Sequence, residues 1–173
     1  PFSLELGRSF VQPRYWGQHS LEYLWYGIGA YLREQPDIKY LFGPVSISNA
    51  YPQLAKELII GFYQQQFGTE LPQATAKTPF IISEQCRQFV AQEFNGDYSS
   101  SFKILNIELR KLGVKVPTLY KQYVELCVDK GCHFIDFNID PDFNNCIDSL
   151  IMVEIDKIAP KKRQRYIETT LLH

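Results

Sequence analysis

Residues 4–11 read LELGRSFV, residues 12–18 read QPRYWGQ, and a helix-like run follows over 20–33. These segments predict a β-strand, a short basic and aromatic turn, and a helix whose first turn points at that turn. Such a junction leaves backbone N–H groups without partners and directs the positive end of the helix dipole at the turn. It therefore suits a phosphate-bearing ligand, although the sequence has neither a dinucleotide-binding motif nor a P-loop.

The same residues carry a resemblance to a known family. ELGRSFV (5–11) followed by PRY (13–15) resembles the central motif of the GNAT superfamily of acyltransferases. It is most similar to the branch that makes lyso-ornithine lipids, whose members often bear the label hemolysin. The resemblance continues through YLFGPVSISN (40–49) and, more loosely, through 116–123 and 140–143. The pattern from Glu5 to Phe10 is also similar to a signature of acyl-homoserine-lactone synthases, which share the fold and use acyl carrier protein.

The resemblance implies a mixed α/β, GNAT-like fold in which two central strands splay apart and the pantetheine arm of the donor lies between them. The residues predict the same feature independently, because Pro44 has no N–H group and its strand should be unpaired on one side there. We expect one domain over 1–173 with a helical insertion at 68–130.

The resemblance also suggests how this chain relates to a longer protein. The chain begins at Pro1, just before the motif strand, whereas a large part of the family's domain precedes that strand. We therefore expect a carboxy-terminal portion of a longer protein. Longer relatives carry a fused lysophospholipid-type acyltransferase domain upstream, which is a further expected partner.

Hydrophobic periodicity predicts helices at 20–33, 50–66, 84–94, 99–112 and 117–129, and strands at 4–11, 40–48, 132–139 and 150–155. A glycine inside a strand often marks a bulge, so we expect one near Gly7 that turns both Glu5 and Arg8 toward the cleft. Asn49 is expected to cap the second helix. The buried stripe of that helix is predicted as Leu54, Leu58, Ile59 and Phe62.

Composition excludes several classes of protein. A net charge of −1 gives no electrostatic reason to expect nucleic acid, and no apolar run approaches the length of a membrane span. We expect a cytoplasmic protein, with peripheral contact at the inner face of the membrane as an option.

The four cysteines form no C-x-x-C pair, which indicates reduced, buried thiols and no zinc site. Residues 140–144 begin like a calcium loop but lack its later glycine and glutamate, so a local Asx turn is expected and no metal.

Acyl transfer to an amine needs a group that accepts a proton from the amine or orients the amine. Glu5 is the candidate for this role, as base or as orienting carboxylate, and the family motif places a carboxylate there. The alternative is that Glu5 only pairs with Arg8 and stabilises the strand. Arg8 itself is expected to form that structural ion pair or to bind a carboxylate of the substrate.

The turn before the first helix is the candidate site for the donor's phosphate. Many superfamily members have Arg or Gln, two residues, Gly, one residue, then Gly or Ala here, whereas this chain has His19 at the last position. That side chain crowds the site expected for coenzyme A pyrophosphate and favours the single phosphate of a phosphopantetheine group on acyl carrier protein over acyl-CoA. No cofactor is expected to be permanently bound. The donor-binding residues are predicted as Phe10, Val11, Arg14, Tyr15, Trp16, Gly17, Gln18, His19 and Ser20.

The end of the second strand is the candidate site for the acceptor. Ser46, Ser48 and Asn49 could donate hydrogen bonds to the substrate there, with capping as the alternative for Asn49. Tyr51 is a further candidate, as a general acid toward the leaving thiolate. The three histidines share no spacing typical of a nucleophilic triad, and His133 is expected to be structural.

The resemblance implies an N-acyltransferase that moves a long acyl chain from acyl carrier protein, or from acyl-CoA, to an amino acid amine, with ornithine expected. Two alternatives stay open: a synthase of the acyl-homoserine-lactone type, and a non-catalytic acyl-binding module. The basic run KKRQR (161–165) could dock an acidic carrier protein or an anionic membrane surface, or form a solvated helix face.

Overall fold

A four-stranded mixed sheet organises the chain, in a computed structural model that describes residues 2–7, 10–15, 18–69 and 74–169. The strand order is β1-β2-β4-β3. β1 runs parallel to β2, whereas β2, β4 and β3 pair antiparallel. The mixed α/β fold expected from the sequence is confirmed. The strands are β1 (Ser3–Glu5), β2 (Tyr40–Ile47), β3 (Cys132–Asp140) and β4 (Cys146–Glu154).

Among the described residues, one α-helix lies between β1 and β2, four lie between β2 and β3, and a short one follows β4; the longer helices lie close to where periodicity predicts them. Two have the side-chain caps that helix N-termini favour: Ser83 accepts from the Cys86 N–H, and Asp97 from the Ser100 N–H. Short 3₁₀ turns occupy 13–15 and 155–157, and a π-helical turn occupies 164–168. The α-helices are α1 (Ser20–Glu34), α2 (Gln53–Phe67), α3 (Glu84–Glu93), α4 (Tyr98–Lys111), α5 (Thr118–Leu126) and α6 (Pro160–Arg163).

β1 is shorter than the sequence predicts. Its last bond to β2 joins the Leu6 N–H to the Phe42 carbonyl at 2.7 Å. In a parallel ladder the Leu6 carbonyl would next accept from residue 44, but Pro44 has no N–H to donate. The strand prediction through Val11 is therefore wrong. Gly7 lies beyond the strand, so the bulge expected there is wrong too.

The splay expected at Pro44 is confirmed. β2 pairs with β4 along its full length, from Tyr40 opposite Glu154 to Ile47 opposite Ile147, but with β1 only as far as Phe42. Gly43 allows the close approach at the point of separation, because a Cβ there would lie 2.3 Å from the Leu6 carbonyl oxygen. From Pro44 onward, one edge of β2 is left without a strand partner among the described residues.

α2 is buried on nearly all sides rather than along one stripe. It packs between α3 and α4 on one side and β3 on the other, and every residue from Ala55 to Tyr63 is buried. Leu54 is wrongly predicted as buried, with 49% of it exposed, because it lies in the first turn beyond these neighbours. The predicted cap is wrong as well: Pro52 precedes the helix, and the Asn49 side-chain oxygen accepts instead from the buried Lys56 ammonium at 3.0 Å.

Local predictions around the β3–β4 hairpin and the thiols are confirmed. The Asp140 carboxylate accepts from the N–H groups of Asp142 and Phe143, as an Asx turn requires. His133 bonds the Glu154 carboxylate across the ladder at 2.8 Å, which is a structural contact. The four cysteines are unpaired: Cys86, Cys132 and Cys146 are buried, and Cys127 is half-buried.

Glu57 fastens the N-terminus of α3 to α2. Its buried carboxylate accepts from the Ser83 N–H at 3.2 Å, from the Ser83 hydroxyl, and from the Gln53 amide at 3.1 Å. Burial alone would raise the pKa of Glu57, but these hydrogen bonds outweigh it and lower the pKa below its usual value. The folded protein therefore holds this carboxylate charged at a pH where the unfolded chain begins to protonate.

We expect Glu57→Gln to lower the free energy of unfolding at neutral pH by about 1–3 kcal/mol, the usual cost of a disrupted buried hydrogen-bond set. Because the folded pKa is depressed, the contribution of Glu57 is present above the unfolded pKa and lost as the pH falls, between about pH 5 and pH 3. Urea unfolding across that range should show a smaller acid loss for the variant. Glu84→Gln, on the exposed side of α3, is the control and should leave the pH dependence unchanged.

Candidate functional site

An apolar groove with a volume of about 640 Å³ lies where β1 and β2 separate. Leu24, Trp25 and Ile28 of α1 form one wall, and Leu119 and Tyr123 of α5 form another. β2 contributes Pro44, Val45 and Ser46 along its unpaired stretch, and Leu6 closes the end of β1. The groove is therefore a direct product of the splay, and its walls suit a flexible hydrocarbon chain.

A polar pair interrupts this apolar surface. The Ser46 hydroxyl donates to the Asp148 carboxylate at 2.5 Å, because Ser46 and Asp148 face each other in the β2–β4 ladder. Both side chains line the groove. The sequence singled out Ser46 but missed Asp148, since only the register of the two strands brings that carboxylate to the cleft.

A buried thiol lies next to the pair. The Cys146 sulfur is 3.5 Å from the Asp148 carboxylate. Burial, and then the nearby negative charge of Asp148, raise the pKa of Cys146 to about 11. The thiol is therefore protonated at neutral pH, and Cys146 is not among the residues that line the groove.

Of the two predicted catalytic residues, the structure describes only Glu5. Glu5 lies at the end of β1 on the face opposite Leu4 and Leu6, is exposed, and is not part of the groove wall. Its carboxylate leans over Gly7, where a Cβ would come within 3.1 Å of it. Arg8 lies outside the described residues, so the predicted pairing with Glu5 stays a prediction.

The residues predicted to bind the donor do not all lie in the groove. Phe10 and Val11 line the groove. Arg14 and Tyr15 are exposed and stack on each other, with the guanidinium carbon 4.6 Å from the ring centroid, and Ser20 donates to the Tyr15 carbonyl at 2.7 Å. Trp16 and Gly17 lie outside the described residues.

The start of α1 borders a second depression of about 360 Å³ that also includes Gln18, His19 and Lys162. It shares Leu21 and Trp25 with the groove, so the two spaces adjoin. His19 occupies the N-cap position but makes no capping hydrogen bond with its side chain, and its ring approaches the Glu22 carboxylate at 3.6 Å. The helix end thus faces the space beside the groove.

The other residues predicted to bind the acceptor form hydrogen bonds within the protein and do not line the groove. The Ser48 hydroxyl accepts from the Ala50 N–H, and Asn49 holds Lys56 as described above. Tyr51 donates to the Lys115 carbonyl at 3.0 Å, and burial raises the pKa of its hydroxyl. Ser46 alone among these four lines the groove.

Two arginines of the basic run 161–165 bond to other parts of the protein. Arg163 donates to the Ile155 carbonyl at 2.7 Å, and Arg165 pairs with Glu22 and with the Tyr26 hydroxyl. Lys161 is exposed, and Lys162 lies 5.8 Å from the Tyr166 ring centroid while bordering the second depression.

Within the described ranges, no helix combines the length and apolar character that crossing a bilayer requires. Over the same part of the chain, no three His, Cys, Asp or Glu side chains are grouped as a metal site would need.

Fold and groove together define a mixed α/β protein consistent with a GNAT-like fold, with a parallel strand pair that opens over an apolar cleft. No protein-family model and no solved structure matches the chain.

Curated relatives do match. One is a glycine N(alpha)-acyltransferase from Bacteroides thetaiotaomicron, 30% identical over 176 residues, covering 98% of this chain and 52% of the relative. Another is a glycine N(alpha)-acyltransferase from Phocaeicola vulgatus, 29% identical over 176 residues, covering 98% of this chain and 53% of the relative. The chain thus spans about half the length of the curated relatives it matches.

Proposed function

We propose that the protein is an N-acyltransferase that joins a long acyl chain to the amino group of an amino acid. The observation that carries this proposal is the apolar groove at the point where β1 and β2 separate. The names of the two relatives, which match along nearly the whole chain, support the same activity. Glycine is the first acceptor to test because of those names, and ornithine, which the family resemblance implies, is the second.

In the reaction, the amino nitrogen attacks the carbonyl carbon of a thioester, the C–N bond forms and the C–S bond breaks. Of the two protons that the ammonium group loses, one ends on the departing sulfur and the other is released to solvent. The groove would hold the acyl chain, which aligns the carbonyl and removes water from around it.

The donor is proposed to be a phosphopantetheine thioester, carried by acyl carrier protein or as acyl-CoA. Its phosphate would lie at the start of α1, where the helix dipole and Lys162 favour negative charge. Glu22 and Glu125 border the same depression, so its charge is mixed and a single phosphate is favoured over a pyrophosphate. Lys161 and Lys162 are the proposed contacts for the acidic surface of a carrier protein.

The test uses the full-length protein with palmitoyl-acyl carrier protein and, separately, palmitoyl-CoA, each with glycine or ornithine. We expect mass spectrometry to detect an N-acyl amino acid together with an equal amount of free thiol. Comparing the two donors distinguishes the carrier protein from coenzyme A. An acyl-homoserine lactone, formed when a homoserine-derived acceptor is supplied in place of glycine or ornithine, would instead favour a homoserine-lactone type of synthase. Acyl-donor binding without turnover on any amine would replace this proposal with a non-catalytic module.

A further inference from the structure

We propose that Asp148 binds the amino group of the acceptor and places it beside the acyl carbonyl. This inference rests on the proposed function and names a residue that the sequence did not point to. It begins from the charges of the described residues that line the groove. The Asp148 carboxylate is half-buried, and the donors it accepts from are both neutral: the Ser46 hydroxyl at 2.5 Å and the Cys146 thiol at 3.5 Å.

No lysine, arginine or histidine in the described ranges forms an ion pair with Asp148. A cationic ligand would give this half-buried carboxylate a counter-charge that none of the described residues supplies. The ammonium group of an amino acid supplies both the positive charge and several hydrogen-bond donors. The neutral hydroxyl of an alcohol supplies no charge and a single donor, so this site favours an amine as acceptor.

The position of Asp148 matches the role. It lies opposite Ser46, on the stretch of β2 that Pro44 frees from β1, so it faces the part of the cleft opened by the splay. An acyl chain along Val45, Leu24 and Leu119 would bring its carbonyl end into the neighbourhood of this pair. Ser46 holds one carboxylate oxygen in place, which leaves the other oxygen to accept from the amine.

The experiment compares the full-length wild type with Asp148→Asn and Ser46→Ala, with palmitoyl thioester as donor and glycine or ornithine as acceptor. For Asp148→Asn, the KM for the amino acid should rise by about tenfold to hundredfold, since a charge-assisted contact is lost. The KM for the donor should stay within about twofold, because the apolar walls are intact. Ser46→Ala keeps the charge and should raise the KM for the amino acid by only about threefold.

Asp142→Asn is the matched control, because Asp142 is an exposed aspartate on the same hairpin and does not line the groove. Donor binding, followed through tryptophan fluorescence without any acceptor, should be equal in all four proteins and shows that each is folded. An active wild type whose Asp148→Asn form keeps its KM for the amino acid would overturn this assignment alone. A wild type that binds donor but acylates no amine would remove the proposed function, and this assignment with it.

Discussion

Replacing Leu24 by Trp is expected to shorten the acyl chain that the protein accepts. Leu24 stands on the α1 wall of the groove and is only partly covered, so a larger side chain there would project into the space proposed for the hydrocarbon. Each buried methylene contributes about 0.8 kcal/mol, or about fourfold in affinity. Displacing three methylenes would therefore reduce kcat/KM for a palmitoyl donor by about 50-fold.

A butanoyl donor should be used by this variant with kcat/KM within about twofold of the wild type, because a short chain does not reach the obstructed part of the groove. Leu54→Trp is the control: Leu54 is also an exposed leucine, on α2, outside the groove wall. Equal loss with both donors would mean that Leu24→Trp damages the fold or the reacting centre instead of the chain-binding space. No loss with either donor would place the acyl chain elsewhere.

The second large effect is on stability. Phe62→Ala is expected to lower the free energy of unfolding by about 3–5 kcal/mol, the usual range for a fully buried phenylalanine. Phe62 has no exposed surface, and its ring lies within 6 Å of four other aromatic rings: Tyr63 at 5.0 Å, Phe94 at 5.3 Å, Phe102 at 5.8 Å and Tyr98 at 5.9 Å. These rings join α2, α3 and α4, so a cavity there weakens the contacts of all three helices.

Chemical unfolding of Phe62→Ala and of Tyr23→Ala would measure this effect. Tyr23 is an exposed aromatic residue on α1, and its replacement should change the free energy of unfolding by less than about 0.5 kcal/mol. If the two variants were equally stable, the cluster around Phe62 would not be the centre of the core. The groove lies against α1 and α5, so donor binding by folded Phe62→Ala protein should be retained.

Much of the fold could be predicted because its signals are local. The helices predicted at 84–94 and 99–112 form close to those positions, where Ser83 and Asp97 cap them. The Asx turn at Asp140 depends only on residues next to it in the chain. Pro44 predicts the splay because a missing N–H is a property of the residue itself, whatever surrounds it.

The wrong predictions depend on contacts between distant segments. The end of β1 at Glu5 is decided by what Pro44, on another strand, cannot donate. Leu54 fits the stripe of an isolated amphipathic helix, but α2 is enclosed by α3, α4 and the sheet, so its burial follows its neighbours rather than its own periodicity. Asn49 bonds Lys56 instead of capping the helix, since the buried ammonium needs a partner.

By itself, the sequence determined the mixed α/β class of fold and the separation of the two central strands, because backbone donors and hydrophobic pattern are encoded residue by residue. Only the tertiary structure decided which side chains meet in that cleft. Asp148 and Ser46 are about one hundred residues apart and face each other through the β2–β4 register, while Glu5, within the motif, turns away from the groove. A strand shifted by one residue would present the opposite set of side chains, so the polar centre of the groove is a property of the pairing and not of any single segment.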